Sequence, residues 1–299
     1  MGGSYGGRLS LCNRVTLVDT NASLVDRINA SGLVLEEGGR ETVFHPSAAT
    51  GVSGHDKADL VVLFTKSLYS RSALENVKGA IGDDTVLMSL QNGAGHERVL
   101  CEYVPRERVV IGTTEDNGYV ISEGRIHHGG EGVTNIGVLD GVDGSFLEDI
   151  RQAFEPCGFT VRIHADIRRL VWDKLMTNVS LSALTAVLQC DMGYIYNDRY
   201  ARDLCTQLVK EAVAVANAQG LGFDEEAVLA KVASVSRSNP GAYTSIMKDI
   251  AAGRRTEVDT ISGEVVATAH SLGLSVPHHE MIVSLIHAME GRAGQGSFR

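Results

Sequence analysis

An α/β fold, with a doubly wound sheet in the first half and an all-helical second half, is what this sequence predicts, on three observations. Short β-branched runs alternate with helical patterns as far as His164, the arrangement that builds parallel sheets through crossover connections. Beyond His164 the β-rich runs give way to long amphipathic stretches. The chain's 299 residues, 43% apolar and 21% charged, have ordinary globular composition and room for one or two cores.

The elements follow in order. RVTLVD at 14–19 reads as a strand, 21–30 as a helix opened by a capping Asn21, and DLVVLF at 59–64 and TVLMSL at 85–90 as buried strands. Segments 33–36 and 41–44 flank Gly38 and Gly39, as in a hairpin inserted into the wound sheet. Strands are expected at 108–113, 125–127 and 133–137, separated by Gly-bearing turns, then a helix at 145–154 and a strand at 160–163. Helices are expected at 166–189, 199–219, 225–233 and 257–272. The change of pattern near 164–168 gives a domain at 1–165 and a helical domain at 166–299, with the cleft between them as the natural place for a ligand. No internal repeat or low-complexity tract is present.

Charge and cysteine usage narrow the function. A net charge of -10 disfavours a polyanion-binding surface, because nonspecific nucleic-acid affinity comes from phosphate neutralisation. The five cysteines are odd in number, scattered and without a CxxC, so they spell neither a disulfide framework nor a zinc ribbon. A reducing cytosol fits them best. No apolar run approaches a bilayer span, and residues 1–12 lack a charged region followed by an apolar block. The expectation is a cytoplasmic protein with no membrane and no nucleic-acid partner.

The opening, MGGSYGGRLS, reads equally well as a Gly-rich leader and as a Rossmann unit missing its head. In such a unit a strand runs into G-x-G-x-x-G, whose glycines bring backbone close to a pyrophosphate at a helix N-terminus, and the acid ending the second strand binds the ribose. Only Gly2 could belong to that fingerprint, with Asp19 as the acid.

Three further constellations carry polar chemistry. Lys174, Asn178 and Ser182 fall at i, i+4 and i+8 on the predicted helix, and each step of four drifts only about 40° round the axis, so an ammonium, an amide and a hydroxyl share one face. On this helix alone, a solvated polar face is the better explanation. Ser245 and Glu257 stand out in a second polar run, although an acid opening a helix is also what the dipole favours. The SLQNGAG loop at 89–95 follows a buried strand, where ligands sit in open α/β sheets, or is simply an Asn-Gly turn. The pairs His127-His128 and His278-His279 lack metal-ligand spacing and read as surface features. No Gly-x-Ser-x-Gly elbow or complete phosphate loop is present.

Taken together, W-x-K-L-x-x-N from Trp172 to Asn178, LQNG from Leu90 to Gly93, and Ser245 with Glu257 twelve residues on resemble the ketopantoate reductase (2-dehydropantoate 2-reductase) family over essentially the whole chain. The resemblance implies an N-terminal Rossmann-type domain, a helical C-terminal domain, and reduction of a 2-keto acid by a nicotinamide cofactor, as in pantothenate biosynthesis. It makes Lys174 the proton donor: charge grows on the keto oxygen as hydride arrives, and a nearby ammonium, its pKa lowered by burial, stabilises that charge and supplies the proton. By the same carry-over Asn92 lies near nicotinamide and substrate, Asn178 and Ser245 bind substrate, and Glu257 contacts cofactor ribose or a substrate hydroxyl. Lys66 and the backbone at Gly118 take positions beside the cofactor.

Three departures shape the expectation. Ser182 stands where the family usually has a second substrate-binding Asn, enlarging the pocket. Asp19 stands where NADPH-using members often have Arg, which leans the choice between NADPH and NADH toward NADH, since carboxylate and 2′-phosphate repel. The family normally begins about ten residues earlier, with a central first strand, so a truncated or misassigned start is expected, leaving two unpaired sheet edges. The rivals are an NADH-dependent D-2-hydroxyacid dehydrogenase of the same fold and a non-catalytic nucleotide-binding or scaffold paralogue. The partner expected is a small 2-keto acid, no metal is called for, and a homodimer is left open.

Overall fold

A computed structural model of the chain describes residues 1–54, 57–130 and 132–293. In chain order the elements are α1 (Gly2–Leu9), β1 (Thr16–Val18), α2 (Ala22–Ser31), β2 (Leu33–Glu37), β3 (Arg40–Phe44), β4 (Ser47–Ala49), β5 (Leu60–Leu63), α3 (Ser70–Asn76), β6 (Val86–Ser89), α4 (Glu97–Leu100) and β7 (Val109–Thr114). They continue with β8 (Gly118–Ser122), β9 (Arg125–His128), β10 (Val133–Val138), α5 (Leu147–Phe154) and β11 (Thr160–Ile163). The rest is helical: α6 (Ile167–Leu188), α7 (Met192–Asn197), α8 (Arg199–Ala218), α9 (Glu225–Ser238), α10 (Ser245–Ala251), α11 (Ser262–Ser271) and α12 (Pro277–Ala293). The chain divides into two compact units: Met1–Gln91 with His96–Ile167, and Asn92–Gly95 with Arg168–Arg299.

In the first unit β5, β6 and β7 run parallel in a five-stranded sheet of order β11-β10-β7-β6-β5. β6 and β7 are buried at every position, which is why their sequence is a continuous apolar run rather than an alternation. β1 pairs only with β4, in parallel, and β5 only with β6 among the described residues, so each presents one edge without a ladder partner. The expected hairpin forms, with Leu33 opposite Phe44, but not within the wound sheet: β2 and β3 join β9 and β8 in a separate four-stranded sheet of order β3-β2-β9-β8. Its apolar face, Leu33, Leu35, Phe44 and Ile126, closes on Ile28 of α2 and forms a core of its own. The four-stranded sheet therefore has a reason to stand apart.

The Gly-rich opening is a helix. Tyr5, 1% exposed, stacks on Phe159 at 4.5 Å and packs beside Phe64 and Phe154 in the main core. Its glycines let the helix lie close: a Cβ on Gly6 would stand 2.3 Å from Leu17 Cδ2 and one on Gly3 2.4 Å from Ile126 Cδ1. The opening is therefore part of the packed first unit.

The second unit holds α6 to α12 with no strand among its described residues. Four of its helices start at side-chain caps: Asp191, Asp198, Asp224 and Thr244 each accept a backbone N–H two or three residues on, interactions worth about 1 kcal/mol apiece. α6 is not the amphipathic helix expected. From Val179 to Ala186 every residue is buried, so the helix has no solvated polar face there. No helix among the described residues is long and apolar enough to cross a membrane.

The histidine pairs depart from their reading as surface features. His128 is 2% exposed because its ring is consumed by two carboxylates, Glu37 at 2.6 Å and Asp116 at 3.3 Å. His279 is fully buried, with Nε2 3.0 Å from the Leu208 carbonyl.

Candidate active site

In the first unit two of the candidate cofactor residues, Asp19 and Lys66, lie beyond the carboxyl ends of the parallel strands β1 and β5, where open α/β sheets bind ligands. Asp19 follows β1 directly. Its amide donates to Ala49 O at 3.1 Å and its Oδ1 accepts from Asn21 N at 2.9 Å, leaving the side chain exposed at the entry to α2. Gly2 begins α1, and a Cβ there would stand 3.3 Å from Phe64 Cβ, so the first turn packs on the segment that leads to Lys66. Gln91, buried at the end of β6, ties that segment down: Nε2 donates to Thr65 O at 2.7 Å and to Ser70 Oγ at 2.9 Å, and Oε1 accepts from Ser89 Oγ at 2.9 Å. Gly118 opens β8, and its described ties run to β9 rather than to Gly2, Asp19 or Lys66; a Cβ there would meet His127 O at 2.6 Å.

Behind α1 lies a polar network. The Tyr5 hydroxyl donates to Asp116 Oδ2 at 2.6 Å and lies 2.7 Å from the hydroxyls of both Thr114 and Thr134. Asp116 Oδ1 takes the Gly132 amide at 2.8 Å and faces His128, which reaches Glu37; Arg8 closes the chain onto Glu37 at 2.6 Å. Burial pushes the Tyr5 phenol up, and the Asp116 carboxylate pushes it further. Burial also pushes Asp116 up, but hydrogen bonds from Tyr5, Thr114 and Gly132 with the charge of His128 outweigh it and hold the carboxyl below its ordinary range. One helix is thus fastened to strands of both larger sheets by groups that lose their partners if it shifts.

In the second unit α6 carries Lys174, Asn178 and Ser182. None is on a solvated face: Lys174 and Asn178 are half-buried and Ser182 is 3% exposed. The neighbouring Asp173 is engaged by Lys231 of α9 at 2.5 Å. The Ser182 carbonyl accepts from Thr244 Oγ1 at 3.2 Å, and Thr185 Oγ1 lies 2.9 Å from the same hydroxyl. Thr244 caps α10 by accepting from Met247 N, so Ser245, its first residue, is delivered next to the Ser182 turn.

The loop that carries Asn92 is seated on the turn that follows Glu257. The loop Asn92–Gly95 clusters with the helical unit because Ala94 N donates to Thr260 O at 2.9 Å, while Thr260 donates its amide (3.2 Å) and hydroxyl (3.3 Å) to Glu257 O. Glu257 does not open the following helix. Val258–Thr260 is a 3-10 turn, Ile261 breaks it at φ -105° and ψ -96°, and α11 starts only at Ser262, so the helix dipole does not explain this acid. Thr244 and Thr260, which hold the candidates, are not singled out by the sequence; only Thr244, a hydroxyl before a helical run, carries a capping signature.

Residues 1–141 match the family described as ketopantoate reductase PanE/ApbA, and residues 166–290 that described as ketopantoate reductase PanE/ApbA C terminal. The 2-dehydropantoate 2-reductase of Halobacterium salinarum is 32% identical, covering 91% of this chain and 89% of its own length. That of Pyrococcus horikoshii is 30% identical over 98% of this chain and 96% of its own. Among solved structures, a D-mandelate dehydrogenase with NADH and anilino(oxo)acetate superposes with TM-score 0.88 at 25% identity, covering 97% of this chain and 95% of its own. A PanE/ApbA family ketopantoate reductase from Ralstonia eutropha gives TM-score 0.87 at 26% identity, with the same coverage.

Proposed function

The chain belongs to the ketopantoate reductase family, an enzyme acting on a 2-keto acid with a nicotinamide cofactor, and on that premise we propose that it reduces ketopantoate to pantoate with NADH, Lys174 giving the proton. The observation that carries the reading is the double pairing in the helical unit: Ser182 with Ser245 through Thr244, and Asn92 with Glu257 through Thr260. The long-range ties there are Thr244 Oγ1 to Ser182 O and Ala94 N to Thr260 O, each joining stretches of chain more than sixty positions apart.

The residues of the first unit fit the dinucleotide. The amides of the first turn of α1 have no intrahelical acceptors and no side-chain cap, which suits a pyrophosphate, and the exposed Asp19 carboxylate suits a free ribose hydroxyl better than a 2′-phosphate. Lys66, beyond β5, completes that set, while the backbone at Gly118, whose ties run to β9, is assigned to the cofactor by the family resemblance alone. Bound there, the nicotinamide supplies a hydride. The protein's part is to hold the keto acid with Asn178, Ser182 and Ser245, to anchor ribose or substrate hydroxyl with Glu257, and to place Asn92 beside both. Lys174 Nζ then stabilises the growing negative charge on the keto oxygen and transfers a proton to it, completing the alcohol.

A second reading, a D-2-hydroxyacid dehydrogenase for a bulkier 2-keto acid, is favoured by Ser182 in place of a longer side chain and by the likeness to D-mandelate dehydrogenase. Oxidation of NADH and NADPH over a panel of aliphatic and aromatic 2-keto acids separates them. Ketopantoate giving the highest kcat/KM, with NADH, supports the first; turnover confined to aromatic keto acids replaces it with the second.

A further inference from the structure

Glu257 lies in a segment, residues 256–260, that belongs to neither a strand nor an α-helix and has to be held from outside. α12 does the holding. Thr256 donates its amide and its hydroxyl to the same oxygen, Glu290 Oε1, each at 2.7 Å. The other oxygen, Oε2, faces His287 Nδ1 at 3.0 Å, and His287 Nε2 reaches Asp259 Oδ1 at 2.9 Å. One helix therefore grips the chain immediately before Glu257 and two residues after it.

Buried groups give the grip its stiffness. Thr256 is 4% exposed and the Glu290 side chain 8%, so an ionised carboxylate there depends on having its lone pairs used. Burial pushes Glu290 up, but Thr256 and His287 outweigh it and hold it below its usual range. Burial pushes His287 down, yet Glu290 and Asp259 together raise it, favouring an imidazolium that donates from both nitrogens. The chain of contacts then runs on: Thr256 Oγ1 takes Val258 N at 3.2 Å, Glu257 O takes Thr260, and Thr260 O takes Ala94 N in the Asn92 loop.

We propose that His287 and Glu290 are positioning residues for the Glu257 carboxylate and, through Thr260, for Asn92, so that α12 sets how tightly the cofactor ribose end of the site is held. The proposal rests on Glu257 as a site residue. Neither His287 nor Glu290 touches substrate or cofactor in this role; Glu290 acts through the amide and hydroxyl of Thr256, and His287 through the Asp259 carboxylate and Glu290.

The test is a double-mutant cycle on the full chain. His287→Ala is expected to raise KM for the dinucleotide about fivefold with kcat nearly unchanged, and to have no further effect in a Glu257→Gln background. Asp259→Asn, at an exposed carboxylate, is expected to move KM in the same direction and guards against a misfolded His287→Ala. Equal losses in both backgrounds, or an unmoved KM, overturn the proposal. A silent Glu257→Gln in an enzyme that still turns over overturns it too, leaving the reductase reading intact. Where no 2-keto acid is turned over, the reductase reading fails separately, and NADH titration followed by Trp172 fluorescence decides the same cycle: weaker binding in His287→Ala alone supports positioning, and additive weakening overturns it.

Discussion

The carbonyl oxygen of Thr260 occupies the place that a Cβ on Gly93 would need, 2.3 Å away, and Gly93 adopts φ +99°, a conformation that side chains rarely take. Both facts act on the loop that carries Asn92. Gly93→Ala is expected to cost on the order of 2–3 kcal/mol, combining backbone strain with a clash against main chain that cannot rotate away. Urea unfolding measures the first effect, and kcat/KM, expected to fall more than the stability loss accounts for, measures the second. Parent-like values in both would mean that the loop is not seated on Thr260.

How much of this was readable from sequence depends on whether the signal was local. β6 and α2 with its Asn21 cap are legible because burial on both faces and a capping amide write themselves into four to ten consecutive residues, and β5 is legible by its apolar run, although three of its four residues are only partly buried rather than buried as expected. β8 is not. Its five residues are all exposed and carry Tyr119, Val120 and Ile121 with no alternation to read. The sheet to which the hairpin belongs was equally hidden, since β2 finds β9 ninety residues on. His128 and His279 read as surface groups because their partners, Glu37 with Asp116 and the Leu208 carbonyl, are distant in sequence. Within the site, Lys174, Asn178 and Ser182 announced themselves by spacing on one helix, whereas the ties through Thr244, Thr260 and Glu290 are tertiary and leave no pattern.

Lys174→Ala is expected to lower kcat by about 10²–10⁴-fold while leaving dinucleotide affinity nearly unchanged, because the ammonium's interaction with the keto oxygen strengthens as charge develops. Steady-state kinetics beside a direct NADH titration separates the two effects. Turnover within a few-fold of the parent would remove Lys174 from the chemistry, and a parallel fall in NADH affinity would make it a binding residue.

Tyr5→Phe removes one hydroxyl from the network behind α1 and strips Asp116 of its shortest donor, 2.6 Å, at a side chain only 4% exposed. Roughly 1–3 kcal/mol of stability is expected to go with it. Asp116 is held low in the folded state, so its contribution is present above the unfolded carboxyl pKa and is lost as pH falls through the folded one. In Tyr5→Phe that acid-side loss should be smaller and reach its end at a higher pH, with its onset unchanged. Urea midpoints between pH 7 and pH 3 check both, and an unchanged acid limb would show that the phenol contributes nothing to Asp116.

His279 gives the opposite ionisation and a different window. Burial pushes it down to about 4, with only the Leu208 carbonyl and the Glu211 charge pulling the other way; Nδ1 has no partner among the described residues, so a second proton there would be unanswered. The folded protein therefore keeps a neutral imidazole down to about pH 4, while the unfolded chain takes up a proton below about 6.5. Stability must fall as pH drops through that interval, by about 3 kcal/mol in total, and flatten beneath it. His287 works above this window: its raised pKa gives stability that is whole below the unfolded value and lost as pH rises through the folded one. Glu37, Asp116 and Glu290, all held low, act below it. The interval between is left to His279, so His279→Gln, though less stable at pH 7, should lose far less than its parent between pH 6.5 and 4 in urea titrations. Parallel losses in the two proteins would place the titrating group elsewhere.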